Sequence, residues 1–320
     1  MKKIMLLFIL IAIASYPLSG AAADYHALKE VMIGGAGGFD YLSVDPDAHR
    51  LYVTHGTSIA VIDTEKDTLV GSITNVPGVH GFAIAAELGR GFSSNGRENK
   101  VSIVDLKTLA TISKTDTGAN PDAIMFEPSA QEVYAFNHSG SSATVIDAKT
   151  GKSVATIPLS GTVETGVADS KAGQVYVNIE DKNQIAVIDI KEHKVVGNWP
   201  LAPGDAPTGL AIDLEHHRLF AGCNQLLVMV DSTNGKVVST LPIGAGVDAT
   251  AFDAQTGLVF ASCGGSGTVA IARVESDKLT AVQTLTTARG ARTMTIDPKT
   301  HKIYLASGQG AAFKVMSFGM

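Results

Sequence analysis

Ala60-Val61-Ile62-Asp63 returns as Ser102-Ile103-Val104-Asp105, Thr144-Val145-Ile146-Asp147, Ala186-Val187-Ile188-Asp189 and Val228-Met229-Val230-Asp231. The aspartates lie 42 residues apart each time. One more step reaches Arg273, in Ala270-Ile271-Ala272-Arg273, where the apolar run persists without its acid; the next reaches Val315. A fixed period of this size marks a repeat architecture, each unit being one supersecondary module that needs its neighbours to bury its faces.

Around that stretch every unit reads alike. A small apolar strand ends near an acid, as in Tyr41-Leu42-Ser43-Val44-Asp45. A turn leads to a strand carrying an aromatic, Arg50-Leu51-Tyr52-Val53-Thr54, then to the Val-Ile-Asp strand, then through Thr-Gly-Lys or Asn-Gly-Lys turns to a last strand such as Lys236–Leu241. These are four β-branched strands punctuated by Gly, Asn and Asp. The third strand is a continuous apolar run rather than an alternating one, the pattern of a strand buried on both faces. Stacked propeller blades bury their central strands in that way. The repeated aspartate has a local role, accepting backbone N–H groups of the turn that follows it.

The units fall at about 36–76, 77–118, 119–160, 161–204, 205–244 and 245–287, with a seventh beginning at Gly290. The seventh stops one strand short, at Ala312–Met316, while Leu28–Ile33 resembles the fourth strand of the others. The fold expected is therefore all-β: a seven-bladed β-propeller of four-stranded antiparallel blades, the last closed by the N-terminal strand. Closure protects sheet edges.

Residues 1–23 read as a signal peptide. Lys2 and Lys3 precede the apolar run Ile4–Ile13, too short to span a bilayer, and Ala21-Ala22-Ala23 offers a small-residue cleavage site. The propeller domain is then 24–320, in a periplasmic or secreted protein with no membrane span after signal removal. The net charge of −6, with Lys and Arg scattered among acids, argues against nucleic acid and against an anionic membrane surface. A monomer is expected.

The chemistry is expected at one mouth of the channel. Strand one of each blade lines the channel, and its first residue holds, in blade order, Asp40, His80, Asp122, Glu164, Thr208, Asp248 and Arg292. In a chain that is 18% charged, four acids, a histidine and an arginine at one repeat position exceed what composition supplies. A second ring, three residues after each strand-two aromatic, holds His55, Asn95, Asn137, Ile179, Cys223, Cys263 and Ser307, with His138, Glu180 and Asn224 beside it. The ligand-binding candidates are Asp40, His55, His80, Asn95, Asp122, Asn137, Glu164, Asp248 and Arg292. A solvated polar rim with no site is the alternative.

The cofactor is not legible, and a divalent metal ion is one candidate. Asp40, Asp122, Glu164 and Asp248 offer oxygens for a hard cation; His55, His80, Cys223 and Cys263 offer softer donors. No HxH, CxxC or HExxH spacing adds to this. Cys223 and Cys263, in equivalent positions of adjacent blades, have three readings: a disulfide, two buried thiols, or metal ligands. Trp199 is placed on the outer fourth strand of blade four, on the surface or against a neighbour. His49, His193, His216, His217 and His301 fall in turns on the far face and are expected to be solvated. There is no Gly-x-Ser-x-Gly elbow, and the glycines at 34–38 precede no helix.

With Leu-Tyr-Val-Thr at 51–54, Val-Tyr-Val-Asn at 175–178 and Ile-Tyr-Leu-Ala at 303–306, the chain resembles the YVTN β-propeller repeat proteins of the YncE-like group. The resemblance covers 24–320 and implies the fold and export. Members are often called lactonase-like, but the shared motifs carry no catalytic set. Three readings follow: a non-enzymatic propeller holding a small-molecule ligand or protein partner at the mouth; a lactonase-like hydrolase, metal-assisted or not, with Asp122, Glu164 and His80 as acid–base groups and Arg292 facing the oxyanion; and an interaction scaffold using its rim.

Overall fold

The computed structural model describes residues 24–35, 37–308 and 310–320. The signal-peptide reading of 1–23 lies outside the described residues.

Seven four-stranded antiparallel sheets follow one another around a ring. Blade one is Phe39–Asp45, Arg50–His55, Ser58–Asp63 and Thr68–Thr74. Its four-strand order recurs in every blade, with first strands Val79–Ala85, Pro121–Glu127, Val163–Asp169, Leu210–Asp213, Val247–Asp253 and Met294–Ile296. Successive first strands approach one another, so they line the channel. The seventh blade is completed by His26–Met32, which pairs antiparallel with Lys314–Gly319, from His26 opposite Gly319 to Met32 opposite Lys314. The first and last described strands thus meet in one sheet, as expected.

The core is divided among the seams. Seven apolar clusters lie one between each pair of adjacent blades. Each blade sends one strand-two aromatic into them: Tyr52, Phe92, Tyr134, Tyr176, Phe220, Phe260 and Tyr304, all buried. This is why the Val-Ile-Asp strands read as unbroken apolar runs: both faces meet a neighbouring blade. Trp199 packs on Tyr176 at 5.5 Å between ring centroids and against Gly235 of the next blade, where a Cβ would meet its indole.

The repeated aspartates cap turns. Asp63 Oδ1 accepts N–H groups of Glu65 and Lys66 at 3.1 and 3.0 Å, and Asp105, Asp147, Asp189 and Asp231 do likewise. Where Arg273 replaces the acid, the hairpin runs on. Blade six has the longest strands, Thr268–Glu275 and Lys278–Thr286, and turns later, at Ser276 with φ 53°.

Two of the five far-face histidines differ from expectation. His193 Nε2 lies 3.0 Å from both carboxylate oxygens of Glu132 in the preceding blade. His301 Nδ1 lies 2.7 Å from Asp253 Oδ2. Both rings are half-buried in interblade pairs, and His216 pairs with Asp213 in its own turn at 2.8 Å. His49, His216 and His217 are exposed as expected.

Candidate functional site at the channel mouth

The ring residues owe their position to a recurring irregularity. In five blades the register between strands one and two slips at the start of strand one: between Phe39 and Leu42, Val79 and Phe82, Pro121 and Ile124, Val163 and Gly166, and Val247 and Ala249. Asp40, His80, Asp122, Glu164 and Asp248 each sit in the slipped segment. A bulge of this kind re-aims a side chain that regular pleating would send into a seam. Hydroxyls pin the bulges to the next blade. Thr293 Oγ1 donates to Asp40 O at 2.7 Å, Ser94 Oγ donates to Asp122 O, and Gly81 N–H donates to Ser94 Oγ at 2.9 Å.

The side chains form a chain of alternating charge around the mouth. Arg292 Nε donates to Asp248 Oδ2 at 2.6 Å, and its Nη2 reaches Asp40 Oδ1 at 3.4 Å. His80 Nδ1 lies 2.7 Å from Asp40 Oδ2 and 3.6 Å from Asp122 Oδ1. His138 Nδ1 lies 3.0 Å from Glu164 Oε1 and 3.9 Å from Asp122 Oδ2; these are ionic contacts rather than aligned hydrogen bonds. Four carboxylates therefore face one guanidinium and two imidazoles. The Asp122 side chain is only 15% exposed, and its Oδ1 is buried without a hydrogen-bond partner.

The electrostatics follow from this crowding. Burial first, then the Asp40 charge, pushes the Asp122 carboxyl up to about 7, against the lowering pull of His80 and His138. Burial and the Asp40 charge likewise push Asp248 up to about 6, with Arg292 opposing. The contact with Glu164 is the main reason His138 rises to about 9. For His80, burial works against the charged form, but the Asp40 hydrogen bond and the Asp122 and Asp40 charges outweigh it, and its pKa rises.

A cavity of about 200 Å³ opens beside this chain, lined by Gly38, Phe39, Asp40, His80, Arg97 and Arg292 among others. The Arg292 guanidinium lies 5.6 Å from the centre of the Phe39 ring. Tyr41 follows Asp40 inward and packs against the cluster between blades three and four, across the channel from its own blade. Burial and the carboxylates of Asp122, Asp40, Asp248 and Glu164 hold its hydroxyl well above the usual tyrosine range.

The second ring does not join the first. His55 is buried, stacked on Phe313 at 4.0 Å, with Nε2 3.2 Å from Gly37 O; burial holds its pKa below the ordinary value despite that contact. Asn95 and Asn137 have no exposed surface. Asn95 Nδ2 donates to Ser102 and Glu98, and Asn137 Nδ2 donates to Ser142 and Thr144. The reason is parity. Residues three after the strand-two aromatic lie on the opposite face of the strand from it, in line with Leu51 and Val53, and so enter the seam on the other side. Thr208 is also spent on backbone, donating to Val247 O at 3.0 Å. Cys223 and Cys263 are free, buried thiols; burial pushes Cys223 up to about 12. Of the first ring, Asp40, His80, Asp122, Glu164, Asp248 and Arg292 lie together at the mouth, and His138, Arg97 and Tyr41 lie beside them. His138 was visible beside the second ring. Tyr41 occupies a position held elsewhere by Gly, Ala or Thr, and the position of Arg97 is charged in only one other blade, at Asp181.

Solved structures share the fold. A chain of the Kuenenia stuttgartiensis hydrazine synthase superposes with a TM-score of 0.77 at 15% identity, over 88% of this chain and 96% of that one. U3-55K gives 0.79 at 12%, over 93% and 98%. A chain of a mitotic checkpoint complex gives 0.79 at 11%, over 100% and 99%. At such identities the likeness is one of fold alone. No family model matches the chain, and no curated protein does.

Proposed function

We propose that this chain is an exported, YncE-like propeller that binds a small, positively charged ligand at the mouth formed by Asp40, His80, Asp122, Glu164, Asp248 and Arg292. The observation that carries the reading is the convergence of four partly buried carboxylates on one mouth, with Arg292, among the described residues, the one permanently charged cation paired to them. Propeller mouths are common ligand sites. A ligand cation entering there would replace the missing counter-charge.

Thermal-shift and calorimetric titration with polyamines, quaternary ammonium compounds and amino sugars tests this. Binding by the wild type, lost in a Glu164→Gln/Asp248→Asn double variant that still melts cooperatively, supports it. Equal binding by both, or by neither, counts against it. Cell fractionation of the full-length chain tests export; a cytoplasmic, uncleaved product would remove that part.

One observation favours a second reading, a lactonase-like hydrolase. Asp122, pushed up to about 7 beside His80, is poised to exchange a proton near neutral pH, with Arg292 available to a developing oxyanion. Lactone or ester turnover that Asp122→Asn abolishes would establish it; a silent panel removes it.

A further inference from the structure

We propose that Asp40, His80 and Asp122 form a binding site for one divalent first-row transition-metal ion of the Zn²⁺ or Mn²⁺ type. The inference rests on the mouth being the binding face and names its most deeply set occupant.

One nitrogen and two carboxylate oxygens, from three adjacent blades, lie within 4.8 Å of one another. The two separations measured from His80 Nδ1 suit a small ion. With ligand bonds of about 2.1 Å, the 2.7 Å between His80 Nδ1 and Asp40 Oδ2 subtends about 80° at the metal, and the 3.6 Å between His80 Nδ1 and Asp122 Oδ1 about 118°. Those angles bracket octahedral and tetrahedral values. Calcium fits less well, since it asks for six to eight oxygens at longer distances. An imidazole with carboxylates suits zinc, manganese or ferrous iron.

Asp122 Oδ1 gives an independent sign. It is buried, and no protein donor reaches it within hydrogen-bond distance, although buried acceptors are nearly always satisfied. An ion between it and His80 would satisfy it and would take the place of the proton shared by His80 and Asp40.

The surroundings hold the three ligands in place. Arg292 takes Asp40 Oδ1, leaving Oδ2 for the ion. Ser94 fixes the backbone of Asp122 and of Gly81, beside His80. Gly96 seats the imidazole: a Cβ there would lie 2.8 Å from His80 Nε2. Such outer contacts orient ligands and tune affinity. The Arg292 charge opposes a cation, and the nearby carboxylates of Asp248 and Glu164 offset it.

The test uses the full chain stripped with a chelator, dialysed against micromolar Zn²⁺ or Mn²⁺ and counted by elemental mass spectrometry. Co²⁺ serves as a spectroscopic probe. One ion per chain is expected, with visible Co²⁺ bands shifted by the imidazole ligand. Asp122→Asn and His80→Gln should each weaken binding by roughly 100-fold or more, above the range for outer-shell changes. His216→Ala, on the far face, should change nothing. Circular dichroism and cooperative melting identify any variant that fails to fold, and the other then decides. The inference is overturned if no ion binds stoichiometrically, or if both folded variants bind within twofold of the wild type. Organic-amine binding without any ion would overturn this inference and leave the proposed function standing. Ion binding without amine binding would support it and remove the organic ligand.

Discussion

Tyr25→Ala should loosen the whole ring from one position. Tyr25 precedes the strand that closes blade seven and is 1% exposed. Its ring meets Phe260 edge-on at 5.2 Å between centroids. Its hydroxyl donates to His301 O at 2.8 Å, and its backbone exchanges hydrogen bonds with the Gln283 amide at 3.0 and 2.7 Å. Removing a buried aromatic costs about 3–5 kcal/mol, whereas Tyr25→Phe removes one hydrogen bond, about 1 kcal/mol. For a chain of this size each kcal/mol lowers Tm by about 2 °C. The expected losses are about 6–10 °C for Tyr25→Ala and about 2 °C for Tyr25→Phe. Detachment of His26–Met32 would also bare the edge of Lys314–Gly319, so Tyr25→Ala should melt at a concentration-dependent temperature with aggregation. Scanning calorimetry with light scattering reads both effects. A Tyr25→Ala protein melting within 1 °C of the wild type, or indistinguishable from Tyr25→Phe, would refute the role of this strand as the ring's clasp.

Other consequences are open to measurement. Gly96→Ala would press a Cβ onto His80 and within 2.3 Å of Asn120 Oδ1, so Zn²⁺ affinity should fall about tenfold or more while the far-face pairs stay intact; unchanged affinity would remove Gly96 as a positioning residue. Burial holds Cys223 at about 12, so neither thiol should react with a disulfide reagent at pH 8 in the native state, and both should react once the protein is denatured. In the metal-free protein, His138 is held at about 9, above its ordinary 6.5, so its stabilisation is full below about pH 6.5 and lost as pH rises through about 9. Asp122, held at about 7 against an ordinary 3.8, adds a cost that grows as pH rises from about 3.8 and is complete above about 7. Tm in chelator should therefore fall from pH 6 to pH 9.5, and less steeply in Glu164→Gln; a flat or rising profile would contradict the assignment.

Most of the fold could be read from the chain because the propeller repeats its hydrogen bonding. The Val-Ile-Asp period placed the blades, the missing strand of blade seven pointed to His26–Met32, and the aspartates capped the turns they precede. The first ring was legible for the same reason, since aligned repeats put Asp40, His80, Asp122, Glu164, Asp248 and Arg292 at one level. The second ring was misplaced because repeat position says which face of the disc a residue is near, not which side of its strand it is on. Period-two parity from the buried Tyr52, applied to His55, would have sent that ring into the seam. The bulges that turn the first ring toward the mouth leave no mark in residue type. Tyr41, aimed across the channel from a slipped segment, could not have been found without them, nor could Arg97, whose place on the cavity wall is set by tertiary packing. The far-face histidines looked solvated because turns usually are, yet His193 and His301 each found a carboxylate on the neighbouring blade.

The most direct measurement is a crystal structure of the protein soaked in Zn²⁺, with anomalous differences collected at the zinc edge. If Asp40, His80 and Asp122 hold a metal ion at the mouth, one peak will stand about 2.0–2.2 Å from Asp40 Oδ2, His80 Nδ1 and Asp122 Oδ1. A mouth without a peak, or a peak held only by His216 and His217 on the opposite face, would contradict it.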